Sequence, residues 1–337
     1  MTRWISTWYY EQSADEGGSY AQVRGDSSTE RFRDVYRRCL CVFFHTARLA
    51  CPEARLVLVH NAPLRPDASP VARETVRLLT DLGVELRRVD YTHAPPATWQ
   101  DAWRNQFYVL DAIGELASAV ADSDQMVLLD SDIVWTGLPA TEELWRRIAR
   151  VGMASYVIDY PPDEIANGMS RVELTALGRL LGVESDAVIP YSGGEFVALD
   201  GRAARAVVHA AEELWPAVLR WHDGDPGRVL EEAHLLSLVY ASLNWPAGGA
   251  QDLVKRIWTQ PFKYRNTTPS DLTLPLWHLP AEKRYGIRRL YDDIVRGRPG
   301  LPGQMPATLG VPSNSTVKVV RDVTAAAAGR LRQAATR

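Results

Sequence analysis

Three cysteines in a chain of 337 residues are too few, and odd in number, for a disulfide framework. Cys39 and Cys41 lie two apart in a predicted helix and so point to different faces. With Cys51, His45 and His60 they complete no zinc-ligand pattern, and all three are read as reduced packing residues. No apolar run approaches the ~20 residues that span a bilayer. Met1 to Tyr10 carries no apolar leader and no small-residue cleavage site. The expectation is a cytoplasmic chain, at most peripheral to a membrane. Positive charge is not in excess either: 38 Lys and Arg stand against 41 Asp and Glu, a net charge of -3. Nucleic acid is therefore disfavoured as a partner. No internal repeat is found.

What is present is apolar material in an alternating order. With 46% hydrophobic residues the chain can bury a full core. Arg3 to Tyr10 is β-branched and aromatic and reads as a first strand, followed by a Gly- and Ser-bearing loop over residues 11–30. Helical spacing runs from Phe32 to Leu49, Ala54 to His60 is a buried strand, Val71 to Leu82 a helix stopped at Gly83, and Val84 to Tyr91 a strand. Trp103 to Val120 reads as a helix and Gln125 to Val134 as one strongly apolar strand. The alternation predicts an α/β fold with a mostly parallel sheet and helices on both faces.

The second half is less regular. Strands are expected at Met153 to Asp159 and Ile189 to Asp200, helices at Ala203 to Trp221 and Val229 to Leu243, and short strands at Lys255 to Thr259 and Leu274 to His278. Beyond Gly297 proline and glycine suggest a linker. Val317 to Arg337 then suggests a basic amphipathic helix, with Lys318, Arg321, Arg330, Arg332 and Arg337 against Asp322. Such a tail suits an anionic membrane surface or self-association, and a truncation after Pro302 is expected to spare donor binding. The implied organisation is a nucleotide-binding half (1–140), an acceptor-binding half (141–300) and a linker with tail (301–337).

The most informative segment is Met126-Val127-Leu128-Leu129-Asp130-Ser131-Asp132-Ile133-Val134. An apolar strand ending in two carboxylates places acids at the carboxyl edge of a parallel sheet, where open α/β folds bind ligands. Mg²⁺ and similar hard cations bind through one or two carboxylates plus substrate phosphates, so the pattern suits a divalent ion, Mn²⁺ or Mg²⁺, shared with a diphosphate. A solvated acidic turn is the alternative. Adjacent acids also imply repulsion, so Asp132→Asn is expected to leave stability unchanged or slightly raised.

VLLDSDIV resembles the metal-binding segment of GT-A glycosyltransferases, especially the glycogenin-like retaining (family 8 type) nucleotide-sugar transferases. The resemblance implies a GT-A, Rossmann-like fold and hexose transfer from a nucleotide-diphosphate sugar, UDP foremost, to an acceptor hydroxyl, with retention at the anomeric carbon. Asp130 and Asp132 are then metal ligands and Ser131 a donor contact. Arg104-Asn105-Gln106-Phe107-Tyr108-Val109-Leu110 fits the family's basic-x-x-x-x-x-Leu helix, which implies that Arg104 contacts the donor.

Pro190-Tyr191-Ser192-Gly193-Gly194-Glu195-Phe196-Val197 resembles the family's Asn-Ser-Gly segment at the donor sugar, with Ser192 where Asn is usual. The paired glycines fit close backbone approach to a ligand or, equally, a strand bulge, leaving Ser192 and Gly193 as candidates. Glu231-Glu232-Ala233-His234 resembles the acidic helix start facing the reaction centre, which implies a role for Glu232, although acids also favour a first helical turn. Trp277-His278 to Arg284 resembles the segment supplying a histidine as third metal ligand and a lysine to a phosphate. Lys283 and Arg284 follow His278 by five and six residues, and Arg284 has the family spacing. Tyr10, at the end of the first strand, is the candidate to stack on the base. The acceptor is not encoded in any of these motifs. A nucleotidyltransferase, which carries a Gly-rich loop where this chain has Trp8-Tyr9-Tyr10-Glu11, and a non-catalytic nucleotide-sugar-binding protein remain as alternatives.

Overall fold

The computed structural model describes the chain apart from residues 17, 19–22, 24, 97–103, 225–229, 261, 299–300 and 335–337, and apart from the side chains of residues 224, 301–302 and 328–334. The strands are β1 (Arg3–Tyr9), β2 (Arg55–His60), β3 (Glu85–Arg88), β4 (Gln125–Leu129), β5 (Ile133–Trp135), β6 (Met153–Val157), β7 (Ser192–Asp200), β8 (Val254–Arg256) and β9 (Leu276–His278). The helices are α1 (Glu30–Ala50), α2 (Pro70–Asp81), α3 (Tyr108–Ala119), α4 (Thr141–Val151), α5 (Arg171–Leu180), α6 (Gly201–Gly224), α7 (Glu232–Ser242), α8 (Gly286–Val295), α9 (Leu301–Leu309) and α10 (Thr316–Ala334).

Six strands form one sheet in the order β3-β2-β1-β4-β7-β6. β1 pairs parallel with β2 and β4, and β2 parallel with β3, while β7 runs antiparallel to both β4 and β6. This agrees with the mostly parallel arrangement expected of the GT-A type. Period-two side-chain alternation divides each buried strand between two cores. Trp4, Val57, Val59, Met126, Leu128, Val197 and Leu199 face a core built with α3, α5, α6 and α7. Ile5, Leu56, Leu58, Val127, Leu129, Phe196 and Ala198 face the other, with α1, α2 and α4. Helices therefore cover both faces, as the strand pattern predicts. The three cysteines are buried and free, in keeping with packing roles.

Two expectations are corrected. Gln125 to Val134 is not one strand: the chain leaves the large sheet at Leu129, turns through Asp130-Ser131-Asp132, and enters a second sheet of order β5-β9-β8. An unbroken apolar string hides this break, because both sheets are buried. The stretch beyond Gly297 is also no simple linker. Two prolines lie inside α9, at its first turn and at Pro306, yet Met305, Leu309 and Val311 join a third core with Cys39, Trp277, Ile287 and Leu290. The next helix, α10, buries Lys318 and Asp322; of the other tail charges, Arg321 is exposed, while the side chains of Arg330 and Arg332 and all of Arg337 lie outside the described residues. The expected helix starts at Trp103 and Val229 likewise fall outside them.

No described helix is long and apolar enough to cross a membrane.

Candidate active site

Strand order reverses between β1 and β4, and at such a switch point the loops diverge and leave a crevice beyond the carboxyl ends. A cleft of about 460 Å³ opens there, lined by Trp8, Tyr9 and Tyr10 from the end of β1 and by Asp130, Ser131 and Asp132 after β4.

Backbone bonds fix the acidic turn. Asp130 N donates to Glu195 O at 3.1 Å, Ile133 N to Asp130 O at 3.0 Å, and Leu279 N to Asp132 O at 3.1 Å. Antiparallel pairing of β5 with β9 sets Ile133 opposite His278. That register delivers an imidazole beside the acids from a residue far away in sequence. Asp130, Asp132 and His278 each present a ligand atom within 4.8 Å of the others. His278 Nε2 is 3.3 Å from Asp132 Oδ2 and 3.5 Å from Asp130 Oδ2.

The acids differ in state. Burial and the neighbouring Asp132 push Asp130 up to about 6. Burial acts the same way on Asp132, but Lys283 and His278 outweigh it and hold that carboxyl well below the usual range. Burial would lower His278, yet Asp132 and Glu195 hold it up at about 9. Lys283 Nζ lies 3.1 Å from Asp132 Oδ2 and 5.2 Å from the centre of the Tyr36 ring. Even so, the buried Asp132 Oδ2 has no hydrogen bond of good geometry. Two carboxylates, an imidazole and an under-satisfied buried oxygen form a donor set that suits a divalent ion such as Mn²⁺ or Mg²⁺.

Glu195 and Arg256 support this group. Arg256 donates bidentately to Glu195, Nε to Oε1 at 2.8 Å and Nη2 to Oε2 at 2.7 Å, and Glu195 Oε1 is also 3.2 Å from His278 Nδ1. Despite burial, Arg256 and His278 keep the Glu195 carboxyl well below its ordinary range. Neither Glu195 nor Arg256 was a sequence candidate. Each left a signal: a lone acid in the apolar stretch Phe196 to Leu199 and its glycines, and a cation in a short strand.

Elsewhere in the cleft lining, Glu231 accepts from Tyr191 Oη and, at 2.7 Å, from Asn167 Nδ2. Burial raises it to about 7 against these donors. Desolvation and the neighbouring Glu231 push Glu232 well above the usual carboxyl range. The Gln106 side-chain amide faces it. Gly194 is the glycine of the pair that meets the cleft: a Cβ there would lie 2.5 Å from Glu232 Oε1.

Sequence candidates thus sort by position. Asp130, Ser131, Asp132, His278, Lys283, Glu232 and Tyr10 line the cleft. Ser192 and Gly193 do not: Ser192 is buried with its N–H on Ser237 Oγ at 2.9 Å, and a Cβ on Gly193 would strike the Glu195 carboxylate. Arg104 points elsewhere, donating to Pro95 O at 3.2 Å, while the next two residues, Asn105 and Gln106, line the cleft. Of the two cations after His278, Lys283 faces the acids and Arg284 is not among the lining residues. The Tyr10 ring packs 5.0 Å from Tyr91 and 5.3 Å from Tyr108, and its hydroxyl donates to Glu16 at 2.7 Å.

No protein-family model matches the chain, and no curated protein matches it in sequence. Among solved structures it is similar to galactosyltransferase LgtC in complex with donor and acceptor sugar analogues, at TM-score 0.49 and 12% identity over 90% of this chain and 99% of that one. An active-site mutant of LgtC follows at TM-score 0.46 and 13% identity, over 81% and 86%. Mouse xyloside xylosyltransferase 1 in its apo form gives TM-score 0.46 and 10% identity, over 82% and 97%. At these scores the reading of the site rests on its own residues.

Proposed function

We propose that this chain is a divalent-metal-dependent glycosyltransferase that moves a hexose from a nucleotide-diphosphate sugar, UDP foremost, to an acceptor hydroxyl, with retention at the anomeric carbon. The observation that carries the reading is the convergence of Asp130, Asp132 and His278 within 4.8 Å beside Lys283. It occurs at the carboxyl end of a central strand, where a diphosphate is expected to bind.

Asp130, Asp132 and His278 would hold the ion, which when bound supplies positive charge to offset that developing on a departing diphosphate. Lys283 adds a fixed cation at the same end of the cleft. Glu195, braced by Arg256, orients the His278 ring so that Nε2 faces the two acids. In the same cleft, beside Gly194, Glu232 is held largely protonated and offers sugar hydroxyls both a donor and an acceptor. Tyr10 and its aromatic neighbours border the space left for a base.

The nucleotidyltransferase alternative lacks support at the end of β1, where aromatics stand instead of a Gly-rich loop. The test is a thermal-shift screen of UDP-, GDP- and dTDP-sugars with and without Mn²⁺. Stabilisation by a nucleotide sugar only with Mn²⁺, followed by donor turnover, is the expected result. Stabilisation without hydrolysis or transfer points to a non-catalytic binding protein, and no stabilisation by any nucleotide overturns the proposal.

A further inference from the structure

The helix α10 is attached inside out. Val317, Val320 and Val323 are 59%, 58% and 49% exposed, while Lys318 and Asp322 are buried. Docking driven by the hydrophobic effect would turn the valines inward. Among its described side chains the buried ones are ionic, and they reach Glu282 and Arg289. Lys318 Nζ lies 2.8 Å from Glu282 Oε1 and 2.7 Å from Asp322 Oδ2, and Asp322 Oδ1 accepts from Arg289 of α8 at 2.6 Å.

Glu282 ends the short 3₁₀ turn Pro280–Glu282, and the next residue is Lys283. The Glu282 carboxylate also accepts from Gly286 N at 2.8 Å and from Thr259 Oγ1. Asn314, just before α10, donates to Thr259 O at 2.7 Å. Three donors from three chain segments, Thr259, Gly286 and Lys318, thus converge on the residue beside Lys283, and Asn314 braces Thr259.

We propose that Lys318 is a positioning residue: by neutralising and gripping Glu282 it holds the turn that aims Lys283 at Asp132 and at the diphosphate. The C-terminal helix is then part of the donor site without touching the donor. This rests on the reading of Lys283 as the phosphate-side cation. A helix held by charge is also held in one register, because an ion pair of two buried groups tolerates little sliding, whereas valines against an apolar wall tolerate more.

Backbone amide exchange on the full chain tests it. The amides of Glu282, Tyr285 and Gly286 are bonded within this turn and that of Leu279 ties it to Asp132 O, so the four report its order. In Lys318→Met, exchange across 279–286 is expected to rise about tenfold or more while β1 and β4 exchange like the parent. The Kd for UDP with Mn²⁺ should rise about tenfold. If Lys318→Met does not fold, the double variant K318M/E282Q removes the uncompensated acid, and the same local rise in exchange is expected. Parent-like exchange over 279–286, or a rise shared equally by β1 and β4, overturns the proposal. Failure of the parent itself to bind nucleotide would count against the transferase reading, and the exchange result would still decide the role of Lys318.

Discussion

Glu195 holds His278 by the edge of its ring: Oε1 lies 3.2 Å from Nδ1, which leaves Nε2 facing Asp132 at 3.3 Å. Both ring nitrogens face carboxylates, which hold the imidazole up at about 9; Glu195 would keep the proton on Nδ1, and Nε2 is the nitrogen an ion could take in exchange for its proton. Arg256 fixes Glu195 in turn, and the orientation of one imidazole is traceable through two residues to β8.

Asp132→Asn is expected to abolish Mn²⁺-dependent stabilisation by UDP. It should also destabilise the protein in EDTA by about 3 kcal/mol or more, because Lys283 and His278 lose the buried anion they face. This is opposite in sign to the expectation, drawn from two adjacent acids alone, that relief of repulsion would leave stability unchanged or raise it. Urea unfolding of parent and variant in EDTA decides between the two signs.

His278→Ala should weaken Mn²⁺ binding by at least about tenfold, since it removes one of three converging ligands. It should also lower stability by about 1–3 kcal/mol, because the buried Glu195 loses a partner. Titration calorimetry with Mn²⁺ checks the first effect. An unchanged affinity would remove His278 from the site.

Glu231 predicts a pH dependence whose sign can be worked out. Its native value of about 7 lies above the ordinary 4.5, so the native state holds the proton more tightly. The associated stability is complete below about 4.5 and is lost as pH rises through 7. The loss, on the order of 3 kcal/mol, should vanish in Glu231→Gln. Denaturant unfolding of both proteins from pH 4.5 to 8 measures it, and parallel curves would contradict the assignment.

Truncation after Pro302 should be costly to stability, a consequence that the expectation of spared donor binding did not include. It removes Met305, Leu309 and Val311 from a buried cluster and leaves Glu282 without Lys318. A loss of about 5 kcal/mol or more is expected from three apolar side chains and one broken buried pair. Calorimetric melting of the shortened chain in buffer checks it, and a Tm equal to the parent's would restore the tail to a passive role.

The parallel sheet was legible because its strands are short apolar runs spaced by helical patterns, and Asp130 and Asp132 because acids interrupt such a run. Pairing across sheets is what sequence does not carry. The β5–β9 register sets His278 opposite Ile133, the short turn Pro280–Glu282 then presents Lys283 rather than Arg284 to Asp132, and no local sequence pattern contains that pairing. Arg104 was misdirected for a related reason: its helical period is sound, but a 3₁₀ turn over Arg104–Phe107 precedes α3 and aims Asn105 and Gln106 at the cleft instead. Lys318 escaped notice because a lysine in a basic stretch is ordinarily solvated, and its burial depends on an acid supplied by a distant turn.

The turn from β4 to β5 takes the chain from one sheet into another within three residues, and Asp130 and His278 belong to opposite sides of that seam. An ion held by Asp130, Asp132 and His278 would act as a rivet between two plates, and its binding is then expected to restrain how the two sheets shear at the cleft.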